Sequence, residues 1–145
     1  MEIQTKYHGG LTVKEDDFIH FETGIPGFSD EKKFILLPLD KESPFMIMQS
    51  QKTPELGFVV VNPFLFFQDY EFELQDNDKE VLKITSEEDI QIITILTVKD
   101  PFAESTANLQ APIIVNQHKN IAKQIILNNT TYTPRHKIIQ ETIQK

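Results

Sequence analysis

Short runs of β-branched and aromatic residues, separated by turn signals, constrain the fold of this chain more than any other feature. The turn residues recur roughly every 8 to 14 positions. Val, Ile, Thr and Phe favour the pleated, partly buried surface of a strand, and regular turn spacing of this kind is typical of a sandwich or barrel. The sequence therefore predicts a mainly β fold, a small antiparallel β-barrel-like domain with a few short helices.

The strongest strand signal is the run from Ile90 to Val98, which is dense in isoleucine and threonine. Tyr70 to Leu74 alternates apolar residues with glutamates, which predicts a half-buried strand with its carboxylates toward water. Asn77 to Leu82 is predicted to form a short helix capped by Asn77. Further extended segments are expected at 3–7, 11–13, 18–21, 34–39, 45–49, 58–61, 113–115, 121–127 and 132–139.

Three other segments carry turn signals. Gly24 to Gly27 encloses Pro26 between glycines and is interpreted as a fixed turn. Pro63 suits the first position of a helical turn over Phe64 to Phe67. Thr85 to Glu88 repeats the capping spacing seen at Asn77 and predicts a second short turn.

The chain has 145 residues, which fits one domain over 1–145, with 140–145 expected to be a frayed tail. It has no cysteine, which excludes disulfides, thiolate metal sites and cysteine nucleophiles. No basic, apolar leader opens the sequence, and Asn62 and Pro63 interrupt its longest apolar stretch. A cytoplasmic protein without membrane association is therefore expected. A monomer is expected because no large exposed apolar strand is evident.

Charge is unevenly distributed along the chain. The net charge is −8, and the window from Asp69 to Asp89 holds nine acids against two lysines. The part from Ser105 to Lys145 instead has five bases and one acid. An acidic surface repels nucleic acid, so direct nucleic-acid binding is not expected, whereas a basic protein would be attracted. A solvated acidic surface without any partner remains the alternative.

No arrangement of residues typical of an enzyme is visible. His8, His20, His118 and His136 do not occur at the local spacing of a metal-binding pair. The sequence contains no nucleophile elbow, phosphate-binding loop or dinucleotide fingerprint. We therefore predict no catalytic residue, no metal and no cofactor. A small metal-dependent β-barrel enzyme is kept as an alternative, since histidines from different strands could converge in the fold.

Four motifs in order resemble the FliW family of flagellar assembly factors. The first runs from Phe21 to Phe28 (FETGIPGF), and the second from Phe58 to Pro63 (FVVVNP), followed by Asp69-Tyr70-Glu71. The third and most specific runs from Asn108 to Asn116 (NLQAPIIVN), and Lys123 to Leu127 (KQIIL) follows it. Each motif alone is weak, but the resemblance covers nearly the whole chain.

The resemblance implies a barrel-like β fold without enzymatic activity. It also implies two protein partners in the cytoplasm, flagellin and the small basic RNA-binding regulator CsrA. Binding to CsrA would relieve its repression of flagellin translation, and accumulating flagellin would displace CsrA again. A flagellin chaperone without a role in translation is a further alternative.

Candidate protein-binding residues follow from charge and from apolar character. We expect Phe64, Phe66 and Phe67 to line an apolar groove for amphipathic helices of flagellin. Asn108 is a candidate partner contact, although capping of turns by Asn108 and Asn116 is the favoured interpretation. The acidic candidates, expected to face CsrA, are Asp69, Glu71, Glu73, Asp76, Asp78, Glu80, Glu87 and Glu88.

Overall fold

The computed structural model describes residues 1–128 and 130–139. Its strands are short, as the turn spacing predicts. They are β1 (Glu2–Thr5), β2 (Gly9–Thr12), β3 (Ile19–Phe21), β4 (Lys33–Pro38), β5 (Met46–Ser50), β6 (Gly57–Val61), β7 (Ile90–Thr97), β8 (Thr106–Ala107), β9 (Ile113–Asn116), β10 (Ile121–Gln124) and β11 (His136–Lys137).

Seven of these strands close into a barrel in the order β7-β6-β5-β4-β3-β10-β9, and β9 pairs with β7 to complete the ring. The barrel confirms the predicted fold class. Every neighbouring pair in the ring is antiparallel except β3 and β10, which are parallel. A closed ring with an odd number of strands cannot alternate direction throughout, so one parallel pair is required.

The barrel interior is filled by apolar side chains that alternate inward along the strands. Phe21 and Phe34 are fully buried there, and their rings meet edge to face with centroids 5.4 Å apart. Burying one such ring stabilises the fold by about 1.5–3 kcal/mol. Ile93, Ile113 and Val115 face the same interior from the strands that close the ring.

Smaller elements extend and cover the barrel. β8 and β11 continue the sheet beyond β7, and β1 and β2 form a separate hairpin. One α-helix, α1 (Asp76–Val81), is followed by the fully buried Leu82, which packs on Ile114 and Ile125. Single 3-10 turns occur at Glu15–Asp17, Pro63–Leu65, Glu87–Asp89 and Phe102–Glu104. The chain from 70 to 84 therefore lies against the outer side of β9 and the residues after β10.

Four predicted elements differ clearly from the structure. The strand predicted at 121–127 is shorter, because β10 ends at Gln124. Tyr70 to Leu74 forms no strand, because tyrosine hydroxyls rather than a neighbouring strand hold this segment. α1 begins at Asp76 after a Gln75 N-cap, so Asn77 lies inside the helix and does not cap it. The last predicted strand is reduced to the two residues of β11.

The predicted frayed tail at 140–145 lies outside the described residues. Among residues 1–128 and 130–139, no helix has the length and apolar character needed to cross a bilayer.

Candidate protein-binding surface

The acidic window, residues 69–89, forms a cover over the outside of the barrel, and we call it the acidic cover. Tyr70 is buried, Phe72 and Leu74 are half-buried, and Glu71 and Glu73 are exposed. The alternation predicted for a strand is therefore present without any strand pairing. Apolar side chains at every second residue pack on the barrel, and the carboxylates between them point to water.

Two tyrosines attach this extended segment to the barrel. The Tyr70 hydroxyl donates to the carbonyl oxygen of Leu109 at 2.7 Å. The Tyr132 hydroxyl accepts from the backbone N–H of Glu71 at 3.0 Å, and the two tyrosine rings meet with centroids 4.7 Å apart. Burial, followed by the neighbouring Tyr132, raises the pKa of Tyr70 far above its usual range. Tyr70 therefore remains a neutral hydrogen-bond donor at physiological pH.

The end of α1 is held from the opposite side by Asn116. The Asn116 side-chain amide donates to the carbonyls of Leu82 at 2.8 Å and Lys83 at 3.2 Å. Lys83 has a positive φ of 55°, and this left-handed residue ends the helical turn. A buried side chain thereby bonds the carbonyls of the two residues that follow α1.

Asp78 and Asp89 are used inside the molecule. Asp78 is buried and accepts from the ammonium group of Lys123 at 2.7 Å, so its charge is compensated. The Asp89 Oδ1 atom lies 3.2 Å from the Nε2 atom of His118. Partial burial alone would raise the pKa of Asp89, but hydrogen bonds from Thr85 and Ser86 and the charge of His118 bring it below its ordinary value.

The other seven acids of the cover form no ion pair within the described part of the chain. All seven are exposed. Their negative charge is therefore uncompensated at short range. These residues are Asp69, Glu71, Glu73, Asp76, Glu80, Glu87 and Glu88.

Two grooves lie on either side of the extended part of the cover. Phe72 and Glu73 border both of them. The larger, about 760 Å³, runs between Glu71 and the residues after β10, including Ile126. The smaller, about 560 Å³, lies between Leu74 and the start of β7.

The predicted aromatic site belongs to a wider group of rings that we call the aromatic face. Phe66 and Phe67 pack in one cluster with Phe45, Phe45 contacts Phe102, and Phe64 contacts Tyr70 of the same cluster. Phe66 stacks on Phe45 with centroids 5.9 Å apart, and Phe45 meets Phe102 edge to face at 5.7 Å. Phe64 and Phe102 are 38% and 40% exposed, so part of each ring is accessible at the surface.

Sequence reasoning missed Phe45 and Phe102, which lie far from Phe66 along the chain. No local signal distinguishes them from core phenylalanines, since each stands beside apolar or small residues. Leu65, at 59% exposure, was also missed, although it lies between two predicted site residues.

The Asn108 candidate has its oxygen engaged inside the molecule. Asn108 is half-buried, and its side-chain oxygen accepts from the backbone N–H groups of Gln110 and Ala111 at 3.2 and 3.1 Å. Asn116 likewise accepts from the N–H groups of His118 and Lys119. Both asparagines therefore organise turns, which was the favoured interpretation.

The four histidines lie in separate surroundings. His8 contacts the carbonyl of Pro38, His118 pairs with Asp89, and His136 accepts from the backbone N–H of Thr133. Within the described ranges, no three histidine or acidic side chains are grouped in a way that could hold a metal ion. The arrangement of the described residues therefore does not support the alternative of a metal-dependent enzyme.

Comparison with known proteins places this architecture in a family. The family model described as FliW protein matches residues 2–138. The chain is 52% identical over 145 residues to a flagellar assembly factor FliW from Geobacillus thermodenitrificans, with all of both chains covered. It is 50% identical over 138 residues to a flagellar assembly factor FliW from Bacillus subtilis, covering 95% of this chain and 96% of the relative.

A solved structure agrees with these sequence matches. The crystal structure of the flagellar assembly factor FliW superposes with a TM-score of 0.94 at 51% identity, covering 99% of this chain and 100% of that one. Sequence similarity over the whole barrel and cover, together with the shared fold, shows that this chain belongs to the FliW family of flagellar assembly factors.

Proposed function

We propose that this chain acts in the cytoplasm by binding two proteins, flagellin and the translational regulator CsrA, and that binding CsrA relieves repression of the flagellin message. The observation that supports a basic partner most directly is the set of seven exposed acids without ion-pair partners on the acidic cover.

Electrostatics supports CsrA as the partner of the acidic cover. A basic RNA-binding protein is attracted by uncompensated carboxylates, which raise the association rate and the specificity of the encounter. The same carboxylates repel the phosphates of RNA. When CsrA is bound at the cover, binding of RNA to the same CsrA molecule would therefore be disfavoured, even without contact between the RNA and this chain.

Exposed aromatic surface supports flagellin as the partner of the aromatic face. Phe64, Leu65 and Phe102 are exposed apolar side chains beside the half-buried rings of the aromatic face, and apolar side chains grouped at a surface are typical of a binding site. Amphipathic helices bind such surfaces through apolar residues spaced three and four apart. Helical segments of flagellin would provide this kind of ligand.

Feedback follows if flagellin and CsrA exclude each other on this chain. Unassembled flagellin would then occupy the protein and release CsrA, and flagellin translation would fall. Segment 66–72 connects the aromatic face to the acidic cover, because Tyr70 contacts both Phe64 and Phe72 with ring centroids 5.8 and 5.4 Å apart. This connection supports mutual influence between the two surfaces.

Calorimetry with purified CsrA and purified flagellin from the same genome tests the proposal. We expect each to bind separately and flagellin to displace CsrA in competition. If flagellin binds and CsrA does not, the result would favour a flagellin chaperone with no role in translation. Binding of neither would refute the proposed function.

Charge reversal tests the assignment of CsrA to the acidic cover. The triple variant Glu71→Lys, Glu80→Lys, Glu88→Lys should weaken CsrA binding by about tenfold or more at low salt, with a smaller effect in high salt because screening removes the attraction. The matched control reverses three exposed acids outside the cover, Glu2, Glu42 and Glu55. Equal losses for both triples would point to net charge rather than to this surface.

A further inference from the structure

The smaller groove of about 560 Å³ beside the acidic cover combines an apolar floor with acidic edges. We call it the cover groove. Its carboxylates come from Glu73 on the extended segment and Glu87 on the 3-10 turn, while Lys79 of α1 is its single cation. The floor consists of half-buried apolar side chains, namely Phe72, Leu74, Ile84, Ile90 and Ile92.

We infer that the cover groove is the docking site for an amphipathic segment of the basic partner, with apolar side chains on the groove floor and Lys or Arg against its acidic edges. The inference rests on the proposed function, since it names which part of the acidic cover binds that partner and by what chemistry.

Charge complementarity identifies the occupant. Glu73 and Glu87 are exposed and form no ion pair among the described residues, and Glu88 adjoins them on the same turn. A neutral amphipathic segment would bring no positive charge to these carboxylates, and an acidic one would be repelled by them. A segment with Lys or Arg beside its apolar face would bind both the edges and the floor.

The apolar floor distinguishes this groove from the larger one. The larger groove of about 760 Å³ is bordered by more polar groups, and Asp78 in its wall is already paired with Lys123. Burial of apolar area provides affinity that salt does not screen. The inference therefore predicts a salt-resistant component of binding that an acidic surface alone would not produce.

The experiment uses purified CsrA from the same genome as the probe, with calorimetry at low and high salt. Ile84→Gln keeps side-chain volume but makes the floor polar, and we expect it to weaken binding about tenfold at both salt concentrations. Glu87→Lys should weaken binding mainly at low salt. Lys79→Glu removes the one cation and should tighten binding about threefold, an effect that damage to the fold would not produce.

Matched controls alter residues of the same burial elsewhere. These are the half-buried Leu11→Gln for the floor and, at exposed positions, Glu42→Lys for the edge and Lys52→Glu for the cation. Unchanged flagellin binding and unchanged thermal unfolding would show that each variant is folded.

The possible outcomes separate the inference from the proposed function. If the triple charge reversal weakens CsrA binding but Ile84→Gln leaves it unchanged, CsrA uses the acidic cover without the groove. This result would overturn the inference alone. Failure of the unaltered protein to bind CsrA would overturn both. If Ile84→Gln weakens CsrA binding equally at both salt concentrations and Lys79→Glu tightens it, the cover groove is supported as the docking site.

Discussion

The acidic cover and the turn motifs use their polar groups in opposite ways. The turn motifs are Gly24 to Phe28 and Asn108 to Asn116. In them, both asparagine side chains bond to backbone groups within the molecule. In the acidic cover, seven of the nine carboxylates have no cationic partner among the described residues.

This difference separates structural residues from residues available for binding. The buried Asn116 amide satisfies four backbone groups, which stabilises the fold and leaves no free group for a partner. An exposed carboxylate without a partner adds little to stability but attracts a cationic surface. Substitutions in the turn motifs should therefore affect unfolding, and those in the cover should affect binding.

The largest effect on stability is expected at Gly24. Its φ is 72°, and an added Cβ would lie 2.5 Å from the carbonyl oxygen of Ser29. Gly24→Ala should therefore destabilise the protein by about 3 kcal/mol or more in urea unfolding, through strain and steric overlap together. Gly27→Ala is the matched control, since its φ is 86° but nothing lies within 4 Å of the added atom. It should cost about 1–2 kcal/mol. Equal losses would mean that strain alone acts at both glycines.

Asn116→Ala should have the next largest effect. The substitution removes the bonds to the carbonyls of Leu82 and Lys83 and to the N–H groups of His118 and Lys119. Because Asn116 is almost fully buried, we expect a loss of about 2–4 kcal/mol in urea unfolding. Asn108→Ala, at a half-buried position with fewer bonds, should cost about 1 kcal/mol. A loss at Asn116 no greater than that at Asn108 would contradict the structural role assigned to it.

Lys123→Met tests whether Asp78 differs from the other acids of the cover. The variant leaves the buried Asp78 carboxylate without its partner, and we expect a loss of about 1–3 kcal/mol, less than for a fully buried pair. The control is Lys137→Met, which breaks an exposed pair with Glu104 at 3.6 Å and should cost about 0.5 kcal/mol or less. If the two losses are similar, Asp78 belongs with the exposed acids and is available for binding.

The smallest effect is expected from acid titration of Asp89. Its pKa lies below the ordinary value of 3.8 in the folded state. A depressed carboxyl pKa stabilises the fold above the unfolded value, and this contribution disappears as the pH falls through the folded value. The difference in unfolding free energy between the wild type and Asp89→Asn should therefore shrink below about pH 4. Carboxyl titration by NMR gives a direct check, and an unshifted Asp89 would contradict the assignment.

Much of the fold was predictable because its signals are local. β-branched density located β6 and β7, and glycine with proline located the turn at Gly24. The segment after Tyr70 shows the limit of such reasoning. Its alternation correctly predicted which side chains face the barrel, but alternation cannot reveal whether a neighbouring strand is present to pair with it.

The candidate site was predictable only in part. Charge counting located the acidic cover, yet it could not separate Asp78 from Glu80, because the partner Lys123 lies 45 residues away from Asp78. Apolar composition singled out Phe64 to Phe67 but not Phe45 or Phe102, which join the aromatic face only through tertiary packing.

The sequence by itself determined the class of fold, the uneven charge and the turns, since each depends on residue types within a short window. The tertiary structure alone decided which acids are paired, which phenylalanines are exposed and where a groove opens beside the cover. These properties depend on distances between residues far apart in the chain. The odd number of barrel strands requires one parallel pair, which is observed between β3 and β10, and this is likewise a property of the closed ring and of no single segment.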